Sequence, residues 1–401
     1  MSRKDVPDSV SELPLPDEVA QAHSMELVKL ITIEMQQQGG SISFARYMEL
    51  VLYAPGLGYY SAGKRKFGAA GDFITAPEIS PLFSRCLARQ CQQALEDLDA
   101  GDILEFGAGT GVMAAEILRT LAQLGCLPRR YLILDVSADL REAQRQTLQQ
   151  QVPELMDRIH WLNQLPDSFT GVVLGNEVLD AMPIHRLGLG GDGPYEYVVT
   201  QAAQGGFAWQ RQALQDGRLR QRLEAVVAES GAETFCEDYI FEINLAAQDW
   251  LHSLAAVLKQ GLVLLIDYGF PRHEYYHPQR YQGTLMCHYR HRAHDDPLIL
   301  PGLQDITAHV DFTAVAEAAV DNGLAVAGYT SQAQFLLASG LPQVLEQAMG
   351  EDLSQQITLN QQIKKLTLPH EMGELFKVIA LTRGMDTAPT GFAMNDQRGR
   401  L

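Results

Sequence analysis

From residue 102 the chain alternates short apolar runs with longer stretches whose apolar positions recur every third or fourth residue. DILEF at 102–106, YLILDV at 131–136, IHWL at 159–162, GVVLGN at 171–176 and GLVLLIDYG at 261–269 read as strands. Val112–Leu124 and Ala138–Gln150 read as helices between them. Strands alternating with helices of this length predict an α/β, doubly wound parallel sheet. LAVAGYTSQAQFL at 324–336 and LFKVIALTR at 375–383 each supply a closing strand, and GPYEYVVTQAAQGGFAWQRQ at 193–212 reads as a β-hairpin inserted after the fourth strand.

Before residue 101 the period is helical. SMELVKLITIEMQQQ at 24–38 places Met25, Val28, Leu30 or Ile31, and Met35 on one face, and Gly39-Gly40 ends it. SISFARYMELVLY reads as a second helix with Ser43 as N-cap, and a third runs from about Pro81 to Leu95 after a glycine-rich stretch at 58–80. The polar ends, 1–22 and 385–401, read as a disordered lead-in and tail. The expected organisation is a helical cap at 23–100 and a core at 101–270 carrying the hairpin near 190–212. An insertion at 271–322 follows, then closing strands at 323–384 interrupted by a helical insertion near 333–374. No internal repeat is visible.

Composition narrows the function. With 401 residues and 46% hydrophobic content, the chain can bury a large core. A formal net charge of −18 disfavours nucleic acid and anionic membranes, which it repels. Five cysteines, odd in number and without a CxxC pair, point to a reduced protein. No apolar run approaches the roughly 18 residues of a membrane span. The N-terminus has neither an apolar signal segment nor an Arg-rich transit character, so a cytoplasmic location is expected.

The candidate chemistry begins at the end of the first strand, where Glu105 precedes the turn Gly107-Ala-Gly109-Thr-Gly111. A dinucleotide fold uses G-x-G-x-x-G with pyrophosphate on the helix N-terminus. Here the third glycine comes one residue early, Val112 takes its place, and Glu105 would repel pyrophosphate but accept a bond from a cationic or hydroxylated ligand. A nicotinamide dehydrogenase is therefore disfavoured. G-x-G-x-G after an acid resembles motif I of the class I methyltransferases, whose donor S-adenosyl-L-methionine is cationic and carries no phosphate. Asp135, 24 residues after Gly111, ends the second strand and suits either ribose hydroxyls or a helix N-terminus. Trp161 and Leu162, on the third strand, suit adenine or the core equally.

Asn176, Glu177 and Asp180 leave the fourth strand together. Asn176 reads as a helix cap or a pocket residue. Two carboxylates there would orient a guanidinium, whose planar fork of donors matches them, and take the proton lost on methylation; a small amine would suit them too. The histidine-rich segment with His288, His291 and His294 is interrupted by Arg290 and Arg292 and reads as a surface or substrate-facing loop, so no metal site is expected.

Taken in order, GYYSAG…GDFITAPEIS, EFGAGTG, NEVLDAMPIH, DYGF, GTLMCHYRHRAHDDP, DITAHVDF and MGELFKVIAL resemble the MidA-like methyltransferases across residues 24–384. That family is related to the assembly-factor arginine methyltransferase of respiratory complex I. The resemblance implies a class I methyltransferase core, Rossmann-like, with an N-terminal helical cap and an inserted substrate-side region. It implies S-adenosyl-L-methionine as donor, a protein arginine as acceptor, symmetric dimethylation, and a complex I subunit as partner. It carries donor binding to Gly107, Gly109, Gly111 and Asp135, brings Thr75 and Glu78 near the donor pocket, and matches Glu177 and Asp180 to the acceptor-side element. Ala108 and Thr110 depart from the Pro-Gly-x-Gly common in relatives but keep every glycine. Methylation of a small molecule, or a non-catalytic assembly chaperone, are the alternatives.

Overall fold

A computed structural model describes residues 13–62, 75–231, 234–350 and 352–401. The chain divides into two compact units, each built from several segments: 1–64, 180–249 and 270–311 form one, and 65–179, 250–269 and 312–401 the other.

The second unit holds the doubly wound sheet. Its strands, in chain order, are β1 (Asp102–Phe106), β2 (Tyr131–Leu134), β3 (Ile159–Leu162), β4 (Phe169–Asn176), β5 (Leu258–Phe270), β6 (Ala325–Ser331) and β7 (Phe376–Arg383). Their spatial order is β3-β2-β1-β4-β5-β7-β6. β1 to β5 pair in parallel, while β7 runs antiparallel to both β5 and β6. The order reverses between β1 and β4, so the crevice beyond their carboxyl ends is where such sheets take ligands. β1 and most of β4 are buried along their length, as expected for strands covered by helices on both faces. Helix Pro81–Asp97 begins cleanly because Pro81 sits at its first position and the Ser80 hydroxyl accepts from the Leu82 amide. It packs Leu82, Phe83 and Leu87 with Ala114, Ile117 and Leu118 of helix Val112–Gln123 in the same core as Val172, Leu264 and Val378.

The tail differs from expectation. Residues 385–401 include short 3-10 turns at Thr390–Phe392 and Arg398–Arg400. Phe392 is buried against Phe335 with ring centroids 5.5 Å apart, and the Gly391 amide donates to Gln90 Oε1 at 2.8 Å. The Gln397 amide and the Arg398 guanidinium add bonds to the Tyr329 and Val326 carbonyls of β6, so an aromatic anchor and a series of polar contacts together dock a segment whose composition reads as disordered.

In the first unit, helix Glu18–Gln37 starts earlier than its period suggests, capped by Asp17, which accepts from the Ala20 amide at 2.8 Å. The lead-in is thus helical from residue 18, and residues 1–12 lie outside the described range. The buried stripe is Ala20, Ser24, Leu27, Ile31 and Met35; Met25 faces solvent. Ser43 caps helix Phe44–Tyr53 as expected, accepting from the Arg46 amide. The hairpin Gly193–Gln201/Phe207–Ala213 is present and belongs to a five-stranded antiparallel sheet with Ser41–Ser43, His185–Gly190 and Phe241–Ile243. The inserted segment is therefore larger than 190–212, spanning 180–249. The histidine-rich segment forms a hairpin of its own, Met286–Tyr289 with Arg292–His294, turning through Arg290 and His291 at positive φ, and Asp305–Thr307 pairs as its third strand. Among the described residues no three His, Cys, Asp or Glu side chains cluster as metal ligands, and no helix is long and apolar enough to cross a membrane.

Candidate active site

The turn after β1 is built from backbone. Gly107, Gly109 and Gly111 all have positive φ, a region that side chains resist. The three glycines serve different ends. A Cβ on Gly109 would meet nothing within 4 Å, so its bare Cα borders open space. A Cβ on Gly111 would lie 3.0 Å from the Gln144 Cα, so that glycine exists for packing of the following helices. Thr110 Oγ1 donates to Glu78 Oε1 at 3.1 Å, which brings the Thr75–Ser80 element against the turn; Thr75 stands as N-cap residue of helix Ala76–Ile79. Residues 63–74, the rest of that glycine-rich stretch, lie outside the described range.

The carboxyl ends of β1, β2 and β3 meet through one residue that the sequence does not single out. Gln144, in the middle of helix Ala138–Gln151, is fully buried. Its Nε2 donates to the Gly109 carbonyl at 3.1 Å and to Asp135 Oδ2 at 2.8 Å, and its Oε1 accepts from Trp161 Nε1 at 2.9 Å. Asp135 Oδ1 accepts the Ser137 amide at 2.9 Å. Burial raises the Asp135 carboxyl, and the Ser137 and Gln144 donors pull it back. Arg141, one turn before Gln144, donates to the carbonyls of Asp135 and Leu162. Arg145 covers one face of the Trp161 ring at 4.6 Å. In REAQRQTLQQ, Gln144 is one glutamine among several, and only its spacing from Asp135 sets it apart.

Glu105 lies deeper than its motif position suggests. It is 1% exposed, its Oε2 accepts from the Tyr131 hydroxyl at 2.7 Å, and its Oε1 has no partner among the described residues. Burial pushes its carboxyl up to about 7, against the pull of Tyr131 and with a further push from Asp135.

After β4 the chain turns sharply. Glu177 adopts φ +54°, its amide donates to the Ile266 carbonyl at 2.9 Å, and the Leu179 amide donates to Asp267 Oδ2 at 2.9 Å. Asp267 is fully buried, so β5 fixes the turn that carries Glu177. Asn176 is not a helix cap: its Nδ2 donates to Glu177 Oε1 at 3.1 Å, and its Oδ1 has no partner among the described residues. Asp180 is 5% exposed, and its carbonyl accepts the Ala308 amide at 2.9 Å.

These residues fit an adenosyl donor. Open ground beside Gly109, a buried acid ending β2, an indole ending β3 and an orphaned carboxylate oxygen under the turn suit a cationic, hydroxylated, aromatic ligand.

Comparison with known proteins agrees. The family described as S-adenosyl-L-methionine-dependent methyltransferase matches residues 86–330. A Burkholderia thailandensis protein crystallised with S-adenosyl-homocysteine is 46% identical, with a TM-score of 0.92 over 97% of this chain and 100% of that one. Protein arginine methyltransferase NDUFAF7 of Homo sapiens is 30% identical over 382 residues, 85% of this chain and 80% of its own. Its Drosophila melanogaster homolog is 28% identical over 376 residues, 86% and 82%. Both of the latter are mitochondrial by name, which overturns the expectation of a cytoplasmic location drawn from the N-terminus. The chain belongs to the S-adenosyl-L-methionine-dependent methyltransferases.

Proposed function

Proceeding from membership of that family, we propose that the protein methylates arginine side chains of a protein substrate. The observation that carries this reading is the pair Glu177 and Asp180 leaving β4, in a chain whose NDUFAF7 relatives are named for arginine methylation and match it over most of their length. Gly107 and Gly109 admit the donor to the backbone of the turn, with Gly111, Thr75 and Glu78 shaping it. Asp135 accepts from the ribose hydroxyls, Trp161 and Leu162 flank the adenine, and Asn176 and Glu105 complete the donor-side polar groups. When bound, the donor supplies an electrophilic methyl carbon on a sulfonium.

Glu177 and Asp180 accept hydrogen bonds from the guanidinium and hold one nitrogen in line with that carbon. Forming the nitrogen–carbon bond breaks the carbon–sulfur bond and leaves a neutral thioether. The nitrogen gives up one proton, which a carboxylate accepts and passes to water, and the methylated guanidinium keeps its positive charge. The finer reading is symmetric dimethylation of a respiratory complex I subunit. Mass spectrometry of complex I subunits from cells with and without the protein tests it. A dimethylated arginine present only with the protein is expected, and unchanged arginine methylation across those subunits would reject the complex I assignment.

A further inference from the structure

Within the first unit, polar groups collect on one face of the three-stranded sheet. Ile306 and Cys287 are register partners and belong to the apolar cluster around Tyr47 and Met48. Alternation therefore puts Asp305, Thr307 and His288 on the opposite face. Asp305 is 4% exposed, and its Oδ1 accepts the Tyr60 hydroxyl at 2.8 Å and the Ile306 amide at 3.0 Å. The Tyr60 ring stacks on Tyr53 with centroids 5.4 Å apart, and the Tyr53 hydroxyl donates to the carbonyl of Ala181, next to Asp180. Asp180 is tied to the same stretch through the Ala308 amide. Burial raises the Tyr60 phenol well above its ordinary value, and the nearby Asp305, Tyr53 and Asp180 raise it further.

Two more observations point to a ligand. Thr307 Oγ1 is buried on the Asp305 face with no hydrogen-bond partner among the described residues. His288, on the same face, is pushed down to about 4 by burial, so at neutral pH it brings no positive charge. A flat cation with several N–H donors matches this set: carboxylates accept in its plane, tyrosine rings lie over its face, and a threonine hydroxyl takes a further N–H.

We propose that Tyr53, Tyr60, Asp180 and Asp305 cradle the guanidinium of the methyl acceptor, with Asp305 and Tyr60 determining specificity for it. This rests on the arginine reading above. The test uses the full-length protein saturated with S-adenosyl-homocysteine and titrated with capped arginine and capped lysine. Capped arginine is expected to bind the wild type more tightly than capped lysine. Asp305→Asn should weaken arginine about ten- to hundredfold, the loss of a hydrogen bond to a charged group, and Tyr60→Phe severalfold. Both variants should bind S-adenosyl-homocysteine within about twofold of wild type, which also shows that they are folded.

Unchanged arginine affinity in both variants overturns the cradle, even where the wild type still methylates arginine. Should Asp305→Asn prove unable to bind S-adenosyl-homocysteine, Tyr60→Phe decides by the same measure. Preference of the wild type for lysine overturns guanidinium selection, and in that case the arginine reading falls with it.

Discussion

Replacing Gln144 with methionine keeps the side-chain length while removing all three of its hydrogen bonds. The bond to Asp135 is charge-assisted and lies at a carboxylate only 6% exposed, so its loss costs about 1.5–3 kcal/mol. The bond to the Gly109 carbonyl is neutral and adds about 1 kcal/mol; the half-buried Trp161 N–H can turn to water and adds less. Urea unfolding followed by fluorescence should therefore show a loss of about 3–4 kcal/mol.

Donor affinity should fall too, for a separate reason. Without Gln144, Asp135 and Trp161 must be immobilised by the ligand rather than by the protein. That ordering costs about 0.5–1.5 kcal/mol per side chain, which for the two corresponds to roughly five- to hundredfold in Kd for S-adenosyl-homocysteine by calorimetry. A stability loss under about 1 kcal/mol would refute the account of Gln144 as the tie between three strand ends. A full loss with unchanged Kd would refute the preorganisation of Asp135 and leave only a packing role.

Other expectations follow from the same geometry. Gly109→Val should leave a folded protein, at a cost of about 1–3 kcal/mol for its left-handed backbone, yet abolish S-adenosyl-homocysteine binding; retained binding would show that the open ground beside it is not the donor's. Gly111→Val should destabilise the fold more than Gly109→Val in the same urea titration, because its Cβ would also lie 3.0 Å from the Gln144 Cα; an equal loss would refute the packing role of Gly111. Because the folded Glu105 carboxyl sits near 7 rather than 4.5, the folded state holds a proton that the unfolded chain has lost between those values. Stability should fall as pH rises from 4.5 to 7, by up to about 3 kcal/mol, and Glu105→Gln should flatten that slope; parallel thermal-melt profiles for the two proteins would sink the assignment. Glu177→Gln should spare donor binding and slow methyl transfer at least tenfold, and unchanged turnover would return Glu177 to a purely structural role.

What could be read directly from the residues was whatever period and punctuation encode. The five parallel strands, the glycine turn and the Ser43 cap all depend on local patterns. The apolar face of helix Glu18–Gln37 is ambiguous in sequence because Met25, Leu27 and Val28 offer overlapping stripes, and only packing chooses between them. The docking of the tail is hidden in the sequence because composition does not reveal that Phe392 has a buried place waiting. Asp135 and Trp161 were visible as strand-end residues, whereas Gln144 was not, since a buried polar residue inside a helix carries no period of its own. Glu105 is a case of depth rather than of spacing. Its motif position marks it, but does not reveal that it lies beneath the turn with one oxygen held by Tyr131 and the other without a partner among the described residues.

The two halves of the proposed chemistry are encoded differently, and this explains why one is easier to recognise than the other. Every residue assigned to the donor lies between Thr75 and Asn176, and those from Glu105 on follow successive strand ends, so fixed spacings announce it. The acceptor cradle gathers Tyr53, Tyr60, Asp180 and Asp305 from three distant segments of one unit, joined by side-chain bonds such as Tyr60 to Asp305. No spacing rule links them, and substitutions there leave the donor turn untouched. Acceptor choice can therefore change while the donor signature stays intact, so a family match that rests on the turn identifies the methyl donor, and identification of the acceptor has to come from residues such as Asp305.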